Sequence, residues 1–244
     1  MFYYYGFDWT YLVFIVPAML LSVIAQAMVK SRFAKYDRVQ TKRNLTGAQA
    51  AALLLQANGI TDVQIKHIGG ELTDNYNPST KVLSLSDATY SSTSIAAVGV
   101  AAHETGHAIQ HHVNYFPLVF RRTLVPVANI GSRLGPVMAL AGIGFGIGLS
   151  SKGPTPLFQL IANIGLILFG LSVLFYIVTL PVEFNASHRA LKILKESGAF
   201  TDSQEVSGAR KVLWAAAMTY VASALTAIGS FLRILLLVRR RSDR

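Results

Sequence analysis

Residues 95–112 read IAAVGVAAHETGHAIQHH, an apolar run that ends with four histidines and one glutamate. The Ser/Thr cluster at residues 91–94 supplies candidate N-cap residues, and only Gly99 and Gly106 interrupt good helix formers, so the pattern predicts a helix. His103 and His107 are four positions apart and therefore lie on the same face of that helix. The sequence thus predicts a helix that presents two imidazoles side by side.

The segment from His103 to His107 matches the H-E-x-x-H pattern, in which two histidines can bind one tetrahedral zinc ion. Zinc lowers the pKa of a bound water to about 7, and Glu104 lies where it can take that water's proton as general base. Burying two histidines and a glutamate without a shared purpose is costly, which favours a metal site over a chance match. We predict one Zn²⁺ per chain, although such ligands also suit other divalent ions.

A catalytic zinc site needs a third protein ligand and one open position. His111 and His112 are histidines too, but they lie one turn too far along the same helix. Glu183 is the better candidate, because it follows a long uncharged stretch, where a free carboxylate needs a partner. Ser187, four positions later on the same face, could hydrogen-bond a ligand. A carboxylate that only marks the membrane boundary remains the alternative.

The composition predicts burial in a membrane. Hydrophobic residues make up 52% of the 244 residues and charged residues 14%, against about 25% charged in an average soluble domain. The net charge is +10, but basic residues flank apolar stretches as membrane orientation signals do, so we expect a lipid bilayer and no nucleic acid as partner. The absence of cysteine excludes disulfide scaffolds and cysteine-bound metals.

Apolar stretches divide the chain into five predicted regions. Six basic residues between 30 and 43 follow the first stretch and place this side in the cytoplasm. The stretch 118–133 contains two arginines before its end and suggests an interfacial segment, and the last stretch either spans or lies along the interface, which leaves three or four spans. The regions are an N-terminal transmembrane helix (1–29), a cytoplasmic catalytic portion (30–116), an interfacial segment with two transmembrane helices (117–180), a cytoplasmic helix carrying Glu183 (181–211), and a C-terminal apolar helix with a basic tail (212–244).

The catalytic portion is predicted to contain a small sheet. Residues 45–58 form an amphipathic helical pattern with Thr46 as N-cap and Gly59 as its stop. Residues 63–68 alternate as a strand, residues 71–76 suit a second strand, and residues 82–86 alternate as its return strand. The predicted fold is therefore a mainly α membrane protein with three or four apolar helices and a small α+β catalytic domain.

Four segments resemble the YugP-type neutral zinc metallopeptidases, a group of bacterial membrane enzymes. They are Asp74–Pro78, the stretch 96–110 around the histidine motif, Leu180–Ser187 and Leu213–Leu225, and the resemblance covers nearly the whole chain. It implies a zinc-dependent endopeptidase in the bacterial cell membrane, with His103, His107 and Glu183 as zinc ligands and Glu104 as the base.

A more distant resemblance is to the HtpX and CAAX-prenyl-protease peptidases, in which a Glu-x-x-Ala-Asp helix follows membrane spans. Ser187 stands where those relatives carry the aspartate, and Ser is a weaker orienting group. Their histidine five residues beyond the second ligand corresponds to His112, which implies a role in binding substrate or stabilising the tetrahedral intermediate. Tyr220 is a candidate hydrogen-bond donor to the oxyanion.

The resemblance also implies a gluzincin-like catalytic domain. In such peptidases an edge strand holds the substrate backbone in an extended form, and here that strand would be Val82-Leu83-Ser84-Leu85-Ser86. An ordinary sheet strand is the alternative.

The expected function is hydrolysis of peptides or proteins, including membrane proteins in quality control. One alternative is an intramembrane metalloprotease of the site-2 type, but the apolar run before His103 is too short to span. The other is a non-catalytic membrane scaffold with an inert metal site, which would not need Glu104. The sequence leaves the substrate and the oligomeric state open.

Overall fold

The computed structural model describes residues 9–148 and 155–242. These residues form long helices at both ends of the chain and a short sheet between them. The elements are α1 (Trp9–Asp37), α2 (Gly47–Ala57), β1 (Gln64–His67), β2 (Asn75–Asn77), β3 (Val82–Leu85), α3 (Asp87–Tyr90), α4 (Ile95–His112), α5 (Phe116–Gly148), α6 (Pro156–Glu196) and α7 (Ser203–Ser242).

The chain divides into two compact units. The first contains the described residues of Met1–Ile24, Phe120–Thr179 and Tyr220–Arg244. The second contains Ala25–Val119 and Leu180–Thr219. The sheet and α4 belong to the second unit, which we call the catalytic-type unit, and the first we call the apolar unit.

Within residues 9–148 and 155–242, four helices are long and apolar enough to cross a membrane: α1, α5 over Phe116–Phe145, α6, and α7 over Ser203–Arg239. Their outward residues are hydrophobic, since Leu20, Val137 and Ile167 expose 55%, 61% and 64% of their surface. An exposed apolar surface of this extent suits lipid rather than water. The structure thus confirms the prediction of a mainly α membrane protein with a short sheet.

Close packing of α5 on α6 holds the apolar unit together. A Cβ atom added to Gly131 would lie 2.1 Å from the carbonyl oxygen of Leu168, and one added to Gly165 would lie 2.5 Å from the amide nitrogen of Ala139. Larger side chains cannot occupy these positions without moving the backbone. Small residues at such crossings are the usual means by which membrane helices approach each other.

The structure joins stretches that the sequence analysis treated separately. Residues 118–133 and 134–148 form the single helix α5 in spite of Pro126 and Pro136. In the same way α6 passes through Pro181 and carries both the uncharged stretch 157–180 and Glu183. Apolar helices tolerate proline because neighbouring helices and local adjustments satisfy the freed carbonyl. An interfacial location of 118–133 and the five predicted regions remain predictions.

In the catalytic-type unit the predicted amphipathic helix α2 begins and ends as expected. The Thr46 hydroxyl accepts a hydrogen bond from the Gln49 amide at 3.2 Å, and the Gln49 side chain accepts one from the Thr46 amide at 2.9 Å. This reciprocal pair satisfies two amide donors at the helix start. Gly59 follows the helix with a φ of +68°, a conformation that glycine adopts without strain.

The sheet has the order β1-β3-β2, which corrects the prediction of an edge strand at Val82-Leu83-Ser84-Leu85-Ser86. β3 pairs in parallel with β1 on one side and antiparallel with β2 on the other. The edge-strand role came from the family resemblance, and the observed order agrees with the alternative of an ordinary sheet strand. Alternation identifies a strand but carries no information about its neighbours. With both flanks of β3 paired, its backbone is not open to a substrate strand.

Helix α4 lies at the centre of the catalytic-type unit. Twelve of its residues are buried, and Ile95, Val98 and Ala102 pack in one cluster with Leu194 of α6 and Leu213 of α7. On another side, Ala101 packs with the β3 residues Leu83 and Leu85. The helix that carries the two histidines is thus held from several directions by apolar contacts.

Candidate metal centre

The beginning of α4 is tied to the segment that precedes it. The Ser94 hydroxyl accepts a hydrogen bond from the Ala97 amide at 3.1 Å and donates one to Asp37 Oδ1 at 2.8 Å. The Ile95 amide donates to the Val39 carbonyl at 2.9 Å. An N-cap residue that is itself fully buried sets the start of the helix, and with it the direction in which His103 and His107 point.

His103, His107 and Glu183 converge on one point. Glu183 Oε2 lies 3.3 Å from His103 Nε2 and 3.4 Å from His107 Nε2, and one potential ligand atom from each residue lies within 4.8 Å of the others. The Glu183 side chain is 2% exposed, and the imidazoles are 13% and 12% exposed. The three residues selected from the sequence, separated by up to 80 positions, therefore form one cluster that could hold a metal ion.

Gly106 explains how α6 comes close enough to deliver Glu183. A Cβ atom at position 106 would lie 2.6 Å from the carbonyl oxygen of Ala186, well inside van der Waals contact. Ala186 is fully buried and lies between Glu183 and Ser187 on α6. The glycine inside the motif thus permits the helix crossing on which the cluster depends.

Ser187 contacts His103 from the side opposite Glu183. Its hydroxyl lies 3.1 Å from His103 Nδ1. When Nε2 binds a metal, Nδ1 carries the proton and donates it to the serine oxygen, which orients the ring. The contact that was expected for this serine is present, in the position where an aspartate stands in the more distant relatives.

Gln110 plays the corresponding part for His107, and the sequence analysis missed it. Its Oε1 lies 3.0 Å from His107 Nδ1, while its Nε2 donates to the Val182 carbonyl at 2.8 Å and to Asn185 Oδ1 at 2.9 Å. Because an amide oxygen only accepts, His107 Nδ1 is the donor in this hydrogen bond, and Nε2 is directed at Glu183. The signal in the sequence was an amide three positions after His107, within the predicted helix.

Glu104 stands half-buried beside this cluster. Within the described ranges 9–148 and 155–242 its carboxylate makes no hydrogen bond, so neither oxygen is engaged. Burial lowers the pKa of His107, but the hydrogen bond to Glu183 and the charges of Glu183 and Glu104 outweigh it and raise that pKa. The electrostatic effect shows that Glu104 lies near His107, as the helical spacing predicts.

The cluster of His103, His107 and Glu183 does not include His112. His112 is exposed in the last turn of α4. Tyr220 lies on α7 in the apolar unit. His111 was not selected as a ligand. Its Nδ1 atom shares a hydrogen bond with the hydroxyl oxygen of Tyr76 in β2, at a distance of 2.9 Å. Roles for His112 and Tyr220 remain predictions.

Fold and site together define a class of protein: a helical membrane protein with a buried two-histidine, one-glutamate cluster of the kind that binds zinc. Residues 11–239 match the family described as "Putative neutral zinc metallopeptidase", and the chain belongs to that family. A curated relative, "Putative membrane protease YugP" of Bacillus subtilis (strain 168), is 41% identical over 228 residues, which cover 93% of this chain and 96% of the relative. No solved structure matches. The resemblance stated from the sequence is thereby confirmed.

Proposed function

We propose that this protein is a membrane-bound zinc-dependent endopeptidase of the gluzincin type. The observation that carries the proposal is the convergence of His103 Nε2, His107 Nε2 and Glu183 Oε2, with Glu104 beside them. The family to which the chain belongs supports the same activity. A structural site would have no need of the adjacent carboxylate, which favours catalysis over an inert metal site.

The donor set fits zinc. Two imidazole nitrogens and one carboxylate oxygen are the protein ligands of well-known zinc peptidases, which keep a further position open. Gln110 and Ser187 accept the Nδ1 protons of the two histidines, so both Nε2 lone pairs face Glu183 and the site between them. When bound there, zinc would supply a Lewis acid that polarises a peptide carbonyl and acidifies water.

The chain's own residues then account for the proton transfers. Glu104 accepts a proton from the attacking water and passes it to the leaving nitrogen as the C–N bond breaks. Burial of Glu183 excludes water from the ligand side of the site, and the apolar surroundings of α4 strengthen each electrostatic interaction. Ser187 and Gln110 hold the imidazoles in the orientation that this geometry requires.

The structure favours this proposal over an intramembrane protease. Helix α4, with 18 residues, contains His103 and His107 but is not among the four described helices that are apolar enough to cross a membrane. His103, His107 and Glu183 all belong to the catalytic-type unit. We infer that it faces the cytoplasm, because basic residues follow the first apolar stretch, and that its substrates include membrane proteins undergoing quality control.

The decisive experiment compares wild type with Glu104→Gln and Glu183→Ala in detergent. Removing the base should lower the rate of casein cleavage by about 10²–10⁴-fold while zinc content stays near one ion per chain. Removing the ligand should lower both zinc content and activity. Equal cleavage by Glu104→Gln and wild type would refute the proposed base, and full zinc occupancy in Glu183→Ala would remove Glu183 from the site. Lys66→Gln, an exposed change on β1, serves as the control.

A further inference from the structure

A groove runs between the end of α6 and the beginning of α7, within the catalytic-type unit. Its volume is about 490 Å³, in the range of small-molecule sites. Two large apolar residues line it and remain open to solvent: Phe184 is 41% exposed and Trp214 is 52% exposed. Leu191 and Leu213 continue this apolar lining. The peptidase mechanism proposed above uses neither aromatic residue.

The same groove carries three permanent cations, Lys192, Lys195 and Arg210, and its lining contains no carboxylate. Lys192 approaches Glu196 at 3.9 Å, and both side chains are more than 60% exposed, so solvent weakens this pair. Lys195 and Arg210 have no ion-pair partner within residues 9–148 and 155–242. A groove with this lining attracts an anion.

The two aromatic residues and the cations are separated along each helix of the groove, although Leu191 and Val206 also line its cationic part. Along α6, Phe184 comes first and Lys195 eleven positions later, a distance of about 16 Å in a helix. Along α7 the order is reversed: the cationic residue Arg210 comes first, and the aromatic residue Trp214 comes later in the helix. Phe184 lies four positions after the uncharged stretch 157–180 in the same helix. The aromatic part of the groove is thus the one next to a predicted membrane-spanning stretch, where tryptophan is common at the lipid interface.

We propose that this groove binds an anionic phospholipid. The phosphate would lie against Lys192, Lys195 and Arg210, and an acyl chain would lie along Phe184 and Trp214. An extended peptide fits less well, because both walls are helices whose backbone groups are already paired and offer no strand edge. A lipid needs only an apolar wall and cations at the right end.

The groove also borders the metal centre. Ser187 is part of its lining and contacts His103 Nδ1 through its hydroxyl. A bound lipid would therefore contact the helix segment that orients one of the two histidines. This proximity does not depend on the proposed peptidase activity, and the lipid site can be tested by binding alone.

Fluorescence of Trp214 provides a direct test. The chain has two tryptophans, so Trp9→Phe leaves Trp214 as the reporter. The protein is placed in phosphatidylcholine nanodiscs that contain an equal small fraction of either brominated phosphatidylglycerol or brominated phosphatidylcholine. We expect the anionic brominated lipid to quench Trp214 several-fold more strongly than the zwitterionic one. Equal quenching by the two lipids would overturn the proposal.

The variant with Lys192→Gln, Lys195→Gln and Arg210→Gln should lose this preference, with an apparent affinity for the anionic lipid lower by about tenfold or more. A control with Lys30→Gln, Lys66→Gln and Lys211→Gln removes the same charge from exposed positions outside the groove and should keep it. Unchanged zinc content and gel-filtration behaviour check that both variants fold.

Two further outcomes would also overturn the assignment. If inorganic phosphate alone abolished the preference, the groove would be a site for free phosphate. If an acidic amphipathic peptide displaced the brominated lipid, the groove would be a protein docking site. Retention of the preference in the presence of both competitors supports the lipid.

Discussion

At the scale of single residues, the candidate centre depends on the proton positions of two histidines. Gln110 and Ser187 each contact an Nδ1 atom and leave Nε2 directed at Glu183. Gln110 has no exposed surface, and its amide also bonds to α6 through Val182 and Asn185. It therefore links the orientation of His107 to the position of the helix that carries Glu183.

Replacing Gln110 by methionine keeps the volume of the side chain and removes the acceptor. We expect zinc affinity to fall by about 10–100-fold, because the partner that orients His107 is lost. Competition with a fluorescent zinc chelator measures the change. Gln56→Met, an exposed change on α2, should leave affinity as in wild type, and an unchanged affinity in Gln110→Met would contradict the orienting role.

Zinc retention should depend on pH through His107. Zinc binds only the unprotonated imidazole, and the pKa of His107 in the zinc-free protein lies above that of an ordinary histidine. Zinc affinity is therefore at its maximum above this raised pKa and falls as the pH drops through it. The fall begins at a higher pH than it would for a histidine with an ordinary pKa. Equilibrium dialysis against a zinc buffer across the pH range measures the inflection.

Glu104→Gln is the control for that titration. It removes one of the negative charges that raise the pKa of His107 and should move the inflection to lower pH without removing a ligand. An inflection at or below the ordinary histidine range in wild type would show that burial, rather than the two glutamates, dominates the environment of His107.

At the scale of helices, the crossing of α4 and α6 is the feature on which the site depends. Gly106 and Ala186 meet there, and Glu183 and Ser187 flank Ala186 on the same helix. A helix of ordinary composition would keep the two backbones further apart. The motif therefore needs its glycine for packing as well as its histidines for binding.

Gly106→Ala should separate α4 from α6. The added Cβ would lie 2.6 Å from the Ala186 carbonyl oxygen, and overpacking of this kind costs about 1–3 kcal/mol. We expect a lower thermal unfolding temperature in detergent together with weaker zinc binding. Gly144→Ala is the matched control, because a Cβ there meets no atom within 4 Å. Zinc affinity equal to that of wild type in Gly106→Ala would show that the crossing tolerates the methyl group.

At the scale of the whole molecule, the long helices carry residues of both proposed sites. Helix α6 contains a 24-residue uncharged stretch and, directly after it, Glu183 and Ser187. Helix α7 combines residues of the proposed phospholipid groove with a second apolar stretch. A peptidase built in this way has its proposed metal ligand and its proposed lipid site on helices that also suit a bilayer.

The absence of cysteine makes the orientation in the membrane testable. A single Lys66→Cys substitution on the exposed face of β1 adds the only thiol of the chain. We expect a membrane-impermeant maleimide to label it in inverted membrane vesicles and not in intact cells, because the basic residues after the first apolar stretch favour the cytoplasm. Labelling in intact cells would place the catalytic-type unit outside.

Local patterns in the sequence were enough to predict α2, β1, β3 and the bounds of α4, because helix and strand periodicity depend on neighbouring residues. The second strand was predicted at residues 71–76, but β2 lies at Asn75–Asn77. The pairing of His103 with His107 followed from helical spacing, and Glu183 was selected from its place after an uncharged stretch. The family resemblance strengthened that choice. These features share one property: each is visible within a short window of the chain.

The tertiary structure decided the features that depend on residues far apart in the chain. The central position of β3 depends on partners on both flanks, and the role of Gln110 depends on Val182 and Asn185, more than seventy positions away. Gly106 has its packing role only because Ala186 lies against it. The sequence by itself determined α2, α4, the apolar stretches and the chemistry of the proposed ligands. Their convergence at one point was decided by the tertiary structure, because helix crossings depend on contacts between distant residues.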